Sequence, residues 1–282
     1  MTKIPDLRPS PIAGTWYEGD PDALARTVDT YIQQARLPDL EGEIVAVVAP
    51  HAGLRYSGPV AGYAFAALKG MTCDVVAIIS PMHHPYQQKL ITSSHGAYAT
   101  PLGRVPIDQK SVNELEGHLQ EELGLGLDAV PFDPEHSLEI ELPFLQRALD
   151  GDFNLLPVMV RSQDPKVSRG LGFALARTLA GRRAILVASS DLSHFYDQQT
   201  ALGYDRVMLD QLEAFSPEGI FEVERSGKGF ACGHAAIAAV LWAARELGAD
   251  KVRVLHNATS GDTSGDFSSV VGYGAAVVLK TS

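Results

Sequence analysis

The sequence predicts an α/β fold: a single domain with a mostly parallel or mixed central sheet flanked by helices. Three observations carry that expectation. Uncharged apolar runs rich in β-branched residues, IVAVVA at 44–49, VVAIIS at 75–80 and AILVASS at 184–190, read as strands covered on both faces. Between them lie stretches with apolar residues at helical spacing, the alternation expected of a sheet with crossover helices. Finally, each run is followed at once by histidine or aspartate: Pro50-His51, Pro81-Met82-His83-His84, and Asp191-Leu192-Ser193-His194. In open α/β sheets ligands bind beyond the carboxyl ends of the strands. If the three strands are parallel neighbours, these side chains converge on one rim.

The chain in order supports this plan. Residues 1–19 carry Pro9, Pro11 and Gly14 and read as an extended arm laid on the body through Trp16 and Tyr17. Both aromatics are expected to serve packing rather than to wall a substrate pocket. Asp20-Pro21 starts a helix, Asp as cap and Pro at the first position, and Leu24, Val28, Tyr31 and Ile32 form its apolar stripe. After the first strand, Ser57 is expected to cap a helix running to about Leu68. Residues 85–107 form a long connection, functional or hiding short strands, with a turn at Thr100-Pro101-Leu102-Gly103. Residues 112–123 are an amphipathic helix. Leu138, Leu142, Leu145 and Leu149 have helical spacing, which Pro143 should kink or split. A strand at 155–160, helices at 167–179 and 204–215, and a short helix starting at Ser216-Pro217 follow. Gly229 to His234 then precedes a very apolar helix at 235–247, and strands at 252–257 and 269–279 close the chain, joined by a mobile Gly/Ser-rich loop at 259–268. No linker divides residues 1–282 into two domains.

Composition narrows the functional classes. Of 282 residues, 45% are hydrophobic and 20% charged, with 23 Lys and Arg against 34 Asp and Glu, a net charge of −11. An acidic chain with no basic cluster is a poor binder of nucleic acid or anionic membrane. No uncharged apolar run approaches the ~20 residues that span a bilayer, and the first residues lack the apolar core of a secretory signal. Two cysteines, Cys73 and Cys232, suit a reducing cytoplasm rather than a disulfide framework.

The residues able to carry chemistry are His51, His83, His84, His136, Asp191, His194, Cys232 and His234. Imidazole, carboxylate and thiolate are ligands of Fe, Zn and Cu, although no local motif of the H-E-x-x-H or paired C-x-x-C kind is present. Cys232 precedes a helix, whose positive end favours a thiolate; Cys73 reads as a buried, inert thiol. Asp191 and His194 suit a ligand with a base, or a base with an orienting carboxylate. Glu135 reads as an acidic residue of a first helical turn. A Ser-His-Asp hydrolase using Ser189, Ser190 or Ser193 is a rival, but no G-x-S-x-G elbow is present. Neither a P-loop nor G-x-G-x-x-G occurs, which speaks against nucleotide binding.

Several stretches in order, AGTWY (13–17), PHAGLRYSG (50–58), PMHH (81–84), TPLG (100–103), EHSLEIELPFLQ (135–146), SSDLSH (189–194) and CG (232–233), resemble the Memo family, called AmmeMemoRadiSam system protein B in bacteria and archaea. The resemblance runs from Ala13 to about Tyr273. It implies a fold similar to the LigB-type class III extradiol dioxygenases, which are non-haem Fe(II) enzymes. It further implies His51, His83 and Cys232 as metal ligands, with Asp191, His136 and His194 lining the same pocket, His194 in the position of an acid/base histidine. The thiol stands where those dioxygenases carry a glutamate. Leu54, Met82 and Ala235-Ala236 depart from the family pattern without removing a ligand.

The expectation is therefore a cytoplasmic mononuclear metal protein, a redox enzyme on a small substrate. Fe(II) is the first choice of metal, with Cu or Zn as alternatives, and AMMECR-type and radical-SAM proteins are the implied partners. A metal-binding adaptor that holds a partner peptide, or a metal-dependent hydrolase, are the competing readings.

Overall fold

A computed structural model describes residues 6–131 and 133–282. Residues 1–5 of the expected arm, and with them most of the stretch read for a secretory signal, lie outside the described residues, as does Phe132. The elements are β1 (Leu7–Arg8), α1 (Pro21–Gln34), β2 (Glu43–Ala49), α2 (Leu54–Ala67), β3 (Val75–Pro81), β4 (Leu90–Ser93), β5 (Ala97–Thr100), β6 (Gly103–Pro106), α3 (Gln109–Leu123) and β7 (Asp128–Val130). A 3-10 turn (Glu139–Glu141) leads into α4 (Leu142–Ala148), then β8 (Asn154–Val160), α5 (Pro165–Leu179), β9 (Ala184–Ser189), β10 (His194–Tyr196), α6 (Gln198–Glu213) and α7 (Pro217–Arg225). The chain closes with α8 (His234–Glu246), β11 (Lys251–Thr259), α9 (Gly261–Ser264) and β12 (Val270–Lys280).

One mixed sheet organises the chain, in the order β10-β12-β2-β9-β3-β8-β4-β7 with β11 on the far side of β12. Its centre, β2-β9-β3-β8, is parallel, so the three runs that ended in histidine or aspartate are neighbours, as expected. β12 and β4 join antiparallel on either side. Side chains of β2, β3 and β9 are buried almost without exception, because α5 and α8 pack together and α8 contacts β9 and β3, while α2 covers β2 and β12. This two-sided cover explains why the strands are apolar throughout rather than alternating.

Local chemistry accounts for most boundaries. Asp20, Asp108, Asp164, Asp197 and Ser216 each accept a backbone N–H at a helix start, the capping that side-chain oxygens provide. Pro143 does split the Leu138–Leu149 pattern, into the 3-10 turn and α4, where it occupies the tolerant first turn. Two expectations need correction. Helix α2 starts at Leu54, not after Ser57, and Ser57 instead donates its hydroxyl back to the carbonyl of Ala52 at 2.7 Å. The loop at 259–268 contains the short helix α9, closed by Gly265 at φ +77°. The long connection at 85–107 holds β4, β5 and β6, and β5 pairs in parallel with β1, which ties the arm down.

Candidate metal centre

The carboxyl ends of β2, β3 and β9 deliver His51, His83 and Asp191 to one rim, and the loop before α8 brings Cys232 to the same place. His136 arrives from the segment that precedes the 3-10 turn. Ligand atoms of His51, His83 and His136 all lie within 4.8 Å of one another. Their ring centroids are 5.3 Å (His51–His83), 5.6 Å (His51–His136) and 4.8 Å (His83–His136) apart, the last pair stacked. His51 is buried, His136 half-buried, and His83 exposed, so the cluster opens to solvent on one side.

Each imidazole has its Nδ1 engaged. That of His51 bonds Ser189 Oγ at 2.8 Å. That of His83 bonds Glu135 Oε1 at 2.9 Å, and that of His136 lies 3.3 Å from the same oxygen. The second nitrogen, Nε2, is then the one left to ligate. A carboxylate or oxygen behind a ligating histidine fixes its tautomer and orientation. Glu135 is the buried hub, and not a dipole-complementing residue of a first turn. It also accepts the backbone N–H of His83 at 2.6 Å and those of His136 and Ser137 at 3.0 Å each. Burial works to raise its carboxyl, but the bonds from His83 and Ser137 outweigh it and hold Glu135 well below the usual range.

Cys232 meets the trio at His51, with Sγ 3.1 Å from Nε2, and the backbone N–H of Asp191 donates to the same sulfur at 3.2 Å. Burial, reinforced by the charge of Asp191, pushes the thiol far up. Burial, with His136 and His83 adding to it, holds His51 well below its ordinary value. Cys232 and His51 therefore face each other as neutral thiol and neutral imidazole. His136 is lowered to about 4, again chiefly by burial. Asp191 accepts N–H bonds from His51 at 2.8 Å and Ala52 at 3.3 Å, yet burial lifts its carboxyl to about 7. His194 donates Nδ1–H to the carbonyl of Leu192 at 2.8 Å, and burial lowers it too.

The donor set fits a divalent transition metal: neutral imidazoles and a thiolate are what such a cation takes, the Cys232 thiol giving up its proton on binding. Two ligands at about 2.0–2.3 Å from a metal stand about 3–3.7 Å apart, so the 3.1 Å between Cys232 and His51 already suits one coordination sphere. Among the other candidates, His84 bears on the charge of His136 but stands outside the trio. His234 donates to the carbonyl of Ala231 at 3.1 Å and packs edge-on against Phe221. Cys73 is buried, its thiol raised to about 11 mainly by burial. Ser189, Ser190 and Ser193 are buried with their hydroxyls committed to neighbouring groups, so none is presented as a nucleophile.

Trp16 corrects an expectation. Its ring lies 4.2 Å from that of His136 and is 38% exposed, so it walls the site, whereas Tyr17 is buried packing as expected. Together with Ala52, Gly53, Tyr56, Phe195 and Tyr273 it lines a cavity of about 520 Å³ beside the cluster. Phe195 is exposed and holds a left-handed backbone at φ +65°, a conformation that costs a bulky residue energy and marks functional segments. A second cavity, of about 840 Å³, is lined by Cys232 together with Phe221, His234 and Trp242.

Among the described residues no helix is long and apolar enough to cross a membrane. Residues 8–277 match the family model described as Memo-like protein. A MEMO1 family protein of Nitrosopumilus maritimus is 32% identical over 95% of this chain and 98% of its own length. Its counterpart in Pyrobaculum aerophilum is 34% identical, covering 97% and 99%, and that in Methanothermobacter thermautotrophicus is 36% identical, covering 95% and 98%. The crystal structure of an uncharacterized protein of Escherichia coli K12 covers 83% of this chain and 100% of its own, at 14% identity and a TM-score of 0.44, a likeness too slight to carry an argument.

Proposed function

The chain belongs to the Memo family, and from that premise we propose that it is a metal-dependent redox enzyme acting on a small substrate. The observation that carries this reading is the cluster of His51, His83 and His136, with ligand atoms within 4.8 Å of one another and Cys232 in contact with His51. His51, His83 and Cys232 hold the metal. His136 stands beside them, within the same reach. Fe(II) is the first choice, Cu and Zn the alternatives. The metal supplies Lewis acidity and, for Fe or Cu, one-electron chemistry.

The residues around it do the rest. The exposed side of His83 and the adjoining cavity leave room for a substrate, with Trp16, Tyr56 and Phe195 as its walls, which favours an enzyme over a closed adaptor site. Asp191 and His194 are the acid/base pair. Asp191, lifted to about 7, exchanges its proton near neutrality, where a general acid or base is most effective. His194, whose Nδ1–H is spent on the carbonyl of Leu192, offers Nε2 as a proton acceptor. The protein works in the cytosol, with AMMECR-type and radical-SAM proteins as its partners.

Anaerobic metal analysis of the purified protein, followed by a paramagnetic-resonance spectrum with nitric oxide, tests the reading. About one Fe(II) per chain giving a nitrosyl signal is expected. A chain that takes up no transition metal, or whose metal admits no added ligand, refutes the enzyme.

A further inference from the structure

Ser189 Oγ lies 2.8 Å from His51 Nδ1, 2.6 Å from the carbonyl oxygen of Ser137 and 2.6 Å from Glu141 Oε1. A serine hydroxyl has one proton to give and two lone pairs to receive with. The Ser137 carbonyl only accepts, so the Ser189 proton goes there. The two remaining neighbours must both donate: His51 through Nδ1–H, Glu141 through a carboxylic acid proton. An ionised Glu141 would compete with Ser137 for the single proton and leave two acceptors 2.6 Å apart. The second oxygen of Glu141, Oε2, is buried with no hydrogen-bond partner, an arrangement a neutral acid tolerates far better than a carboxylate.

We propose that Glu141 is a positioning residue of the metal centre: as a neutral acid it donates to Ser189 and holds the hydroxyl proton on the Ser137 carbonyl, so that toward His51 Ser189 can only accept, from Nδ1–H, and Nε2 is left as the ligating nitrogen facing Cys232. The role rests on the metal-binding reading above, though the tautomer it sets is a property of the metal-free protein. Burial, which lifts the Glu141 carboxyl well above its ordinary value, agrees with the proton count. Glu141 touches neither the pocket nor the trio; its effect passes through one hydroxyl. Partners behind a ligating histidine are worth roughly 10–100-fold in metal affinity.

The test uses metal-free protein labelled with 15N-histidine. Two-bond proton–nitrogen spectra give the tautomer of each imidazole, and the signal lost in His51→Ala assigns His51. The parent is expected in the Nδ1–H form. Glu141→Gln keeps a donor toward Ser189 and is expected to keep both that tautomer and the Fe(II) affinity to within about threefold. Glu141→Met removes the donor that keeps the Ser189 proton turned toward Ser137, which frees the hydroxyl to rotate onto Nδ1 of His51, and is expected to shift His51 toward the Nε2–H form and weaken Fe(II) binding by about 10–100-fold. A parent His51 in the Nε2–H form overturns the proposal even if Glu141→Met does not fold. A Gln variant that fails as the Met variant does, or a Met variant unchanged in both readouts, also overturns it. If the parent binds no Fe(II) yet shows the Nδ1–H form rescued by Gln alone, the metal reading falls and the tautomer assignment stands.

Discussion

The sulfur of Cys232 rests 3.1 Å from Nε2 of His51, although the two residues stand 181 positions apart in the chain. Two chemistries compete for the third place beside His51 and His83: this thiol and the imidazole of His136. Cys232→Ser replaces a soft ligand by a hydroxyl of nearly the same shape, a poor ligand for a divalent transition metal. Metal content is expected to fall at least tenfold with the fold retained, since the volume hardly changes. Cys232→Asp is expected to retain some Fe(II), and Cys73→Ser to match the parent. Elemental analysis decides. Parent-like metal in Cys232→Ser alongside its loss in His51→Ala makes Cys232 a bystander.

The pH dependence of affinity separates the same two possibilities. His51 and His136 are held below their ordinary value, so both are neutral at pH 7 and protons do not compete for them there. The Cys232 thiol is raised, so it is protonated throughout that range and must release its proton on binding. Fe(II) affinity should therefore rise about tenfold per pH unit between 7 and 8.5, as measured by anaerobic competition with a chelator. A flat profile would assign the third position to His136.

Gly233 presses the Cys232 loop against β9. A Cβ there would stand 2.4 Å from the carbonyl oxygen of Ser189 and 2.9 Å from Cβ of Ser190. Gly233→Ala is expected to cost about 1–3 kcal/mol by overpacking and to reduce metal content by displacing Cys232. Gly117→Ala, on α3 with nothing within 4 Å, should instead gain about 0.5–1 kcal/mol. Thermal melts read both; a parent-like melt for Gly233→Ala would contradict the packing described.

Arg8, fully buried, bonds Asp133 through Nε and Nη2 at 2.9 and 3.0 Å, pairs with Glu139, and donates to the carbonyl of Glu135. Removing the cation leaves two buried carboxyl groups without it. Arg8→Ala should cost about 3–5 kcal/mol in urea unfolding and loosen the Glu135 hub. A loss under about 1 kcal/mol would mean that water replaces the guanidinium at no cost.

The sequence made the sheet and one rim of the site readable for a physical reason. Apolar runs such as IVAVVA register burial directly, and the residue just past a strand end inherits the strand's position. His51, His83 and Asp191 were legible in this way. Glu135, Glu141, Ser189 and Arg8 were not, because their meaning lies in partners 48 to 138 positions away. A lone arginine in a proline-bearing arm looks solvated until two carboxyl groups close around it. Trp16 looked like packing because its neighbour, His136, is 120 residues on. Aromatic rings advertise that they will be covered, not by what.

The place of β12 has a consequence for how the chain is made. It inserts between β2 and β11, pairing Ala276 with Val48, while the other neighbour of β2 is β9, through Val48 and Ala188. The first strand of the central sheet is thus flanked by two strands that leave the ribosome long after it. At about 5–20 residues per second, β2 waits on the order of 10–50 s for its last neighbour. Until β9 emerges, a strand uncharged beyond Glu43 offers two open edges, and until β12 arrives it still offers one, the condition under which nascent chains pair with one another. Chaperone occupancy during synthesis should therefore be highest between the emergence of β2 and that of β9, and a circular permutant that begins at α9 would shorten the wait by delivering β12 first.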